Sequence, residues 1–191
     1  SIEEPVIEGD RFIIRRTKNG DTGMLQNQVL LPEAGNAQIE KVGGKGKEFW
    51  VFGTNYPNDA LPNRPDDANE RGAWRVEVSP AAPATEDCFL NVMQVADNTC
   101  KRMHDVKRID AEKVVGVQIA DRVVTFSRDS QPLSGKVDMK VDGNAAMKFV
   151  ITDLIPGTWQ IKKDGKVYIP AMEVRSDDGI LSFEGTAGHY E

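Results

Sequence analysis

The chain is poor in the side chains that carry hydrolytic chemistry. It holds two histidines, two cysteines and three tyrosines in 191 residues. It also lacks the G-x-S-x-G and H-E-x-x-H patterns that place a nucleophile or a pair of metal-binding histidines. No apolar run approaches the 18 or more residues of a membrane span, so no membrane is expected as a partner. Positive charge is short too: 24 Lys plus Arg stand against 30 Asp plus Glu, a net charge of −6. That balance argues against nucleic acid, whose phosphates need a basic surface. It leaves room for an anionic glycan, because a local basic strip can act within an acidic whole. A signal peptide is also missing, and SIEEPVIEGD begins as a mature or excised fragment would.

Cysteine usage excludes a disulfide framework. Cys88 and Cys100 are twelve positions apart, and an extended strand between them would hold them beyond bonding reach. Buried free thiols are expected, and the spacing fits no zinc pattern.

Strands are what the chain has in quantity. Apolar and aromatic residues come in runs of five to nine between Gly, Pro, Asn and Asp, with no helical period. Glu48 to Phe52, Trp74 to Val78 and Cys88 to Val95 are such runs. In the second, Trp74, Val76 and Val78 face one way and Arg75 and Glu77 the other. In the third both faces are mostly apolar, which predicts a central strand. Arg11 to Arg16 is a strand turned by Asn19-Gly20 into Met24 to Leu31, which Pro32 stops. Ile39 to Val42 leads into VGGKGK, a tight turn and not a phosphate cradle, since no helix follows and the Walker spacing is missing.

The stretch TNYPNDALPNRPDDANERG, Thr54 to Gly72, holds three of the ten prolines and reads as a long surface loop. Asp66, Asp67, Asn69 and Glu70 offer hard oxygen ligands there, but without the order of an EF-hand loop. KRMHDVKRIDAEK is the one charge-dense stretch, a short helix or a strand and turn. Val114 to Ile119, Val123 to Ser127 and Lys136 to Val141 follow as strands. Asp142-Gly143-Asn144 predicts a hairpin into Ala145 to Thr152. Further strands carry Trp159 and Ile161, then Val167 to Pro170, Ala171 to Val174 and Ile180 to Glu184. His189 and Tyr190 point to opposite faces of the last one. The expectation is a single all-β domain over 1–191, an antiparallel β-sandwich of two packed sheets with ten to fourteen strands and little or no helix.

From the residues alone no catalytic residue, metal or cofactor is expected. Candidate substrate-binding residues are Trp50, Tyr56, Trp74 and Arg75, aromatics and a cation near the long loop that could stack on sugar rings and meet their carboxylates. Core packing is the competing reading for Trp50 and Trp74.

LLPE, KVGGKGKEFWVFGTNYP, ERGAWRVEVSP and EDCFLNVMQVAD, with EKVVGVQIADRVVTFSR, DLIPGTWQI and GILSFEGTAGHYE, together resemble the C-terminal β-sandwich of heparinase II/III-like polysaccharide lyases. The resemblance implies a parent enzyme that cleaves uronic-acid-containing polysaccharide by β-elimination, with an N-terminal (α/α) toroid as partner domain. It also implies an anionic polysaccharide as ligand and a periplasmic or secreted location. In such lyases Tyr and His move the protons and Asn, Arg or His quiet the substrate carboxylate, mainly from the toroid. The early strands, Ile2 to Leu31, contain no His, so no catalytic role transfers to this chain. A free-standing carbohydrate-binding module is the alternative. An apolar patch on one sheet face is the expected mark of a toroid-facing surface.

Overall fold

The structure is a computed structural model and describes residues 2–56 and 73–191. Seventeen strands and no helix occur among the described residues, the all-β class expected from the sequence. They group into two compact units, residues 1–103 and 104–191, taken in turn.

The first unit contains β1 (Val6–Glu8), β2 (Arg11–Lys18), β3 (Asp21–Leu31), β4 (Ala37–Gly43), β5 (Trp50–Val51), β6 (Thr54–Asn55), β7 (Trp74–Pro80) and β8 (Leu90–Asp97). Its main sheet has the order β1-β2-β3-β8, and β4-β7 and β5-β6 form separate two-stranded ladders. Asn19 and Gly20 turn β2 into β3 with φ of 56° and 89°, the backbone that a two-residue hairpin loop requires.

Two expectations about this unit change. Cys88 to Val95 is not central: its strand, β8, closes the sheet edge, and Phe89, Met93 and Val95 are 48, 64 and 80% exposed. The inner place goes to β3, where Gln26, Asn27 and Gln28 are buried in a row. Each finds a partner: Asn27 Nδ2 donates to Asn91 Oδ1 at 3.1 Å, Gln28 Nε2 to Asp10 Oδ2 at 3.0 Å and Gln26 Nε2 to Met24 Sδ at 3.2 Å. Glu48 to Phe52 is also not a continuous strand. Only Trp50 and Val51 pair, because the chain reverses at Phe52-Gly53. Both cysteines are free as expected, but Cys88 lies exposed just before β8 begins; Cys100 is half-buried, its thiol accepting from Gln94 Nε2 at 3.3 Å.

The second unit contains β9 (Val106–Asp110), β10 (Val114–Ile119), β11 (Arg122–Ser127), β12 (Met139–Val141), β13 (Met147–Ile151), β14 (Gly157–Lys163), β15 (Lys166–Val174), β16 (Leu181–Gly185) and β17 (Gly188–Tyr190). A five-stranded sheet runs β16-β13-β11-β10-β9 and a four-stranded one β12-β17-β14-β15. Alternation explains the core. Met147, Phe149 and Ile151 point inward from one sheet, Met139 and Val141 from the other, while the residues between them face out or are half-buried. One apolar cluster draws on both sheets. At its centre Phe149 stacks on Phe183 with centroids 4.7 Å apart and 8° between planes, and Tyr190 tilts onto Phe149 at 4.6 Å. The Tyr190 hydroxyl donates to Thr186 O at 2.5 Å, and burial pushes its pKa up to about 12. A Cβ at Gly185 would meet that hydroxyl oxygen at 2.4 Å, so the close approach of β16 needs glycine there.

Three pairings depart from the sequence reading. The segment Asp142-Gly143-Asn144 does not close a hairpin: β12 pairs with β17 and β13 with β16 and β11, so the chain crosses from one sheet to the other. Gln118 Nε2 anchors the crossing on Asp142 O at 2.7 Å. The β11–β13 ladder is parallel, whereas every other named strand pair is antiparallel. Val167 to Pro170 and Ala171 to Val174 are one strand, β15; it lies at a sheet edge, where a missing N–H at Pro170 costs no ladder bond.

Candidate functional site

The four sequence-selected residues lie on the first unit's two small ladders. Trp74 opens β7 opposite Gly43, and its half-buried indole lies over Gly43 and Gly44; a Cβ at Gly44, where φ is 80°, would come within 2.8 Å of its Cη2. Glycine is therefore what lets this ring lie flat on the turn. Trp50, also half-buried, opens β5, and Lys47 Nζ sits 5.2 Å from its ring centroid. Arg75 joins the two ladders: Nη1 donates to Trp50 O at 2.5 Å and Nε to Glu77 Oε1 at 2.5 Å. Tyr56 follows β6, its amide donating to Phe49 O at 3.3 Å, with a side chain 53% exposed. The structure thus brings Trp50 and Arg75 into contact, sets Trp74 beside the glycine turn and leaves Tyr56 open to solvent.

The residue that sequence reading missed is Phe52. It is 98% exposed, at the first position of the β5–β6 turn. Phe52 has φ of 48° and Gly53 of 80°, a mirror-image turn that favours Asn, Asp or Gly at both positions. The available signal is the Phe-Gly pair inside WVFG, which reads as the end of an apolar strand. Below it the hairpin is well tied. Glu48 accepts from Gly46 N at 3.0 and 2.9 Å and from Asn55 Nδ2 at 3.2 Å, and Phe49 N donates to Asn55 Oδ1 at 2.8 Å. Backbone hydrogen bonds, its own amide first and that of Gly46 next, hold the Glu48 carboxyl below its ordinary value.

A second cluster sits at the end of the other unit. Asp138, His189 and Glu191 bring one potential ligand atom each within 4.8 Å of one another. His189 Nε2 lies 3.0 Å from Asp138 Oδ1, and its Nδ1 3.8 Å from Glu191 Oε1. Lys136 Nζ reaches both carboxylates, at 3.2 and 3.3 Å, and those hydrogen bonds, Asp138 before Glu191, raise its pKa. The Lys136 ammonium already pairs with both carboxylates, so these side chains are engaged in an ion-pair network. His189 and Tyr190 do face opposite ways, as strand alternation requires: the histidine is exposed and the tyrosine ring is 1% exposed. His104 is exposed as well. Neither histidine meets a tyrosine hydroxyl in a shared pocket among the described residues. An apolar cavity of about 260 Å³ opens beside the core, lined by Val137, Met139, Trp159, Ile161 and Phe183 with Lys136 and Glu191 at its polar side. The acidic loop residues Asp66, Asp67, Asn69 and Glu70 lie outside the described residues.

Residues 108–191 match the family model described as Heparinase II C-terminal domain. No curated protein matches the chain.

Proposed function

Proceeding from residues 108–191 as a heparinase II C-terminal domain, we propose that the chain is the non-catalytic C-terminal β part of a heparinase II/III-like polysaccharide lyase. The parent enzyme would break uronic-acid-containing polysaccharide by β-elimination, in the periplasm or outside the cell. An N-terminal helical toroid would make the proton transfers, and this chain would buttress it and wall the substrate cleft. What carries the reading is the agreement of two boundaries: the family match starts at residue 108, and the second compact unit starts at His104. The strip of Phe89, Met93 and Val95 on the edge strand of the first unit adds support. Exposed apolar side chains on one strand face, here with Asn91 among them, are the kind of surface a second domain covers.

β-Elimination needs a base at the proton beside the carboxylate, an acid at the leaving oxygen and a group that neutralises the carboxylate as charge builds. Tyr190 cannot serve, because its hydroxyl is turned into the core. The test is absorbance at the unsaturated-uronate band with heparin, chondroitin and alginate. The chain by itself should give no rise, and adding the helical part encoded upstream should restore one. Product formed by the chain alone sinks the proposal. A second reading, an anionic-glycan-binding module, is favoured by the solvent-facing rings of Phe52 and Tyr56.

A further inference from the structure

We propose that the β5–β6 hairpin is a polysaccharide-gripping finger in which Phe52 at its tip and Tyr56 at its base stack on sugar rings while Lys45 and Lys47 meet their acidic groups. This rests on the glycan reading above and names the residues that would carry it. Phe52 holds a conformation that the folded chain does not reward. A non-glycine residue in the left-handed region is disfavoured on steric grounds, and a phenyl ring left in water gains nothing from burial. Phe52 accepts both, with φ of 48° and 98% exposure. Asn or Gly would suit the turn better. An outlier of this kind points to a use outside the fold.

The hairpin beneath the ring is held from two sides. The Glu48–Gly46–Asn55 hydrogen bonds fix its base, and the Arg75 bond to Trp50 O ties it to β7. The ring is therefore presented on a fixed stem, which keeps the ordering cost of binding low. Val51 and Tyr56 on the same hairpin are 41 and 53% exposed, which extends the apolar surface.

Charge selects the ligand. The hairpin base carries Lys45 and Lys47. Its one carboxylate, Glu48, is occupied by amides of its own turn, and Arg75 is turned inward to Trp50 O and Glu77. What remains at the hairpin is aromatic and cationic: the exposed Phe52 and Tyr56, Lys45 near Glu48, and Lys47 with its Nζ over the Trp50 ring. The apolar C–H face of a pyranose meets the first property and a carboxylate or sulfate the second. A neutral sugar would use only half of the site.

The test is calorimetric titration of the chain with heparin, chondroitin and alginate oligosaccharides, comparing Phe52→Asn and Lys45→Gln/Lys47→Gln with the parent sequence. Asparagine fits the left-handed turn, so Phe52→Asn removes the ring without straining the backbone. The expected result is at least about a tenfold loss of affinity with a melting temperature unchanged or raised. The lysine variant should bind more weakly and with a shallower salt dependence. Glycan binding that Phe52→Asn leaves intact overturns the finger while the glycan reading stands. No glycan binding by the parent sequence, with Phe52→Asn weakening capture of the helical part, also overturns it: the ring is then a protein contact, and the lyase assignment survives.

Discussion

The two compact units differ in what they bury. In residues 104–191 the interior is one apolar cluster with three aromatic rings packed together, and apart from Thr125 and Ser127 on β11 its buried strand residues are mainly aliphatic or aromatic. In the described part of residues 1–103 the inner strand buries Gln26, Asn27 and Gln28 while Phe52, Phe89, Met93 and Val95 face water. An apolar interior gains free energy from every area it hides. A buried amide row gains little beyond matching what water already gave, and it costs more if a partner is lost. The difference teaches that the second unit draws its stability from one large apolar cluster, while the first buries fewer apolar side chains, among them Phe12, Val29 and Leu30, and leaves several large ones in water.

The sharpest way to break the comparison is to cut into each interior. Phe149→Ala removes the ring that both Phe183 and Tyr190 rest on, and it should cost about 3–5 kcal/mol of the second unit's stability in urea unfolding. Asn27→Ala leaves Asn91 without its donor and should cost only about 1–3 kcal/mol. If the two losses are equal, the contrast between the interiors is mistaken. The smallest effect belongs to the exposed strip. Met93→Lys with Val95→Lys should change stability by less than about 0.5 kcal/mol per site yet reduce capture of the helical part of the parent. A large loss of stability would mean those side chains already pack against something.

Much of the second unit was legible because its rule is simple. Alternation such as MKFVI or LSFEG states which face is buried, and Lys-Asp-Gly states where the chain turns. Alternation does not say which sheet a strand joins. Both β12 and β13 point into the same cluster from opposite sides, so Asp142-Gly143-Asn144 passed for a hairpin when it is a crossing. The first unit misled for the opposite reason. Nothing in the letters Gln-Asn-Gln of β3 announces a buried row, because composition cannot show the partners Asn91 and Asp10, and Phe89 and Met93 read as core because apolar letters carry no record of the partner they face. Phe52 was hidden by the same assumption, that an aromatic at the end of an apolar run lies in a strand. Of the candidate site, the neighbourhood was legible and the exposed ring was not.

Hydrogen exchange of backbone amides followed by mass spectrometry tests this division most directly. Amides of β13 and β16, between the stacked rings, should exchange only through global opening, while those of β8 should exchange orders of magnitude faster. Equal protection of β8 and β13 in the isolated chain would contradict the account, because β8 is an edge strand that pairs on one side only and leaves Met93 and Val95 in water.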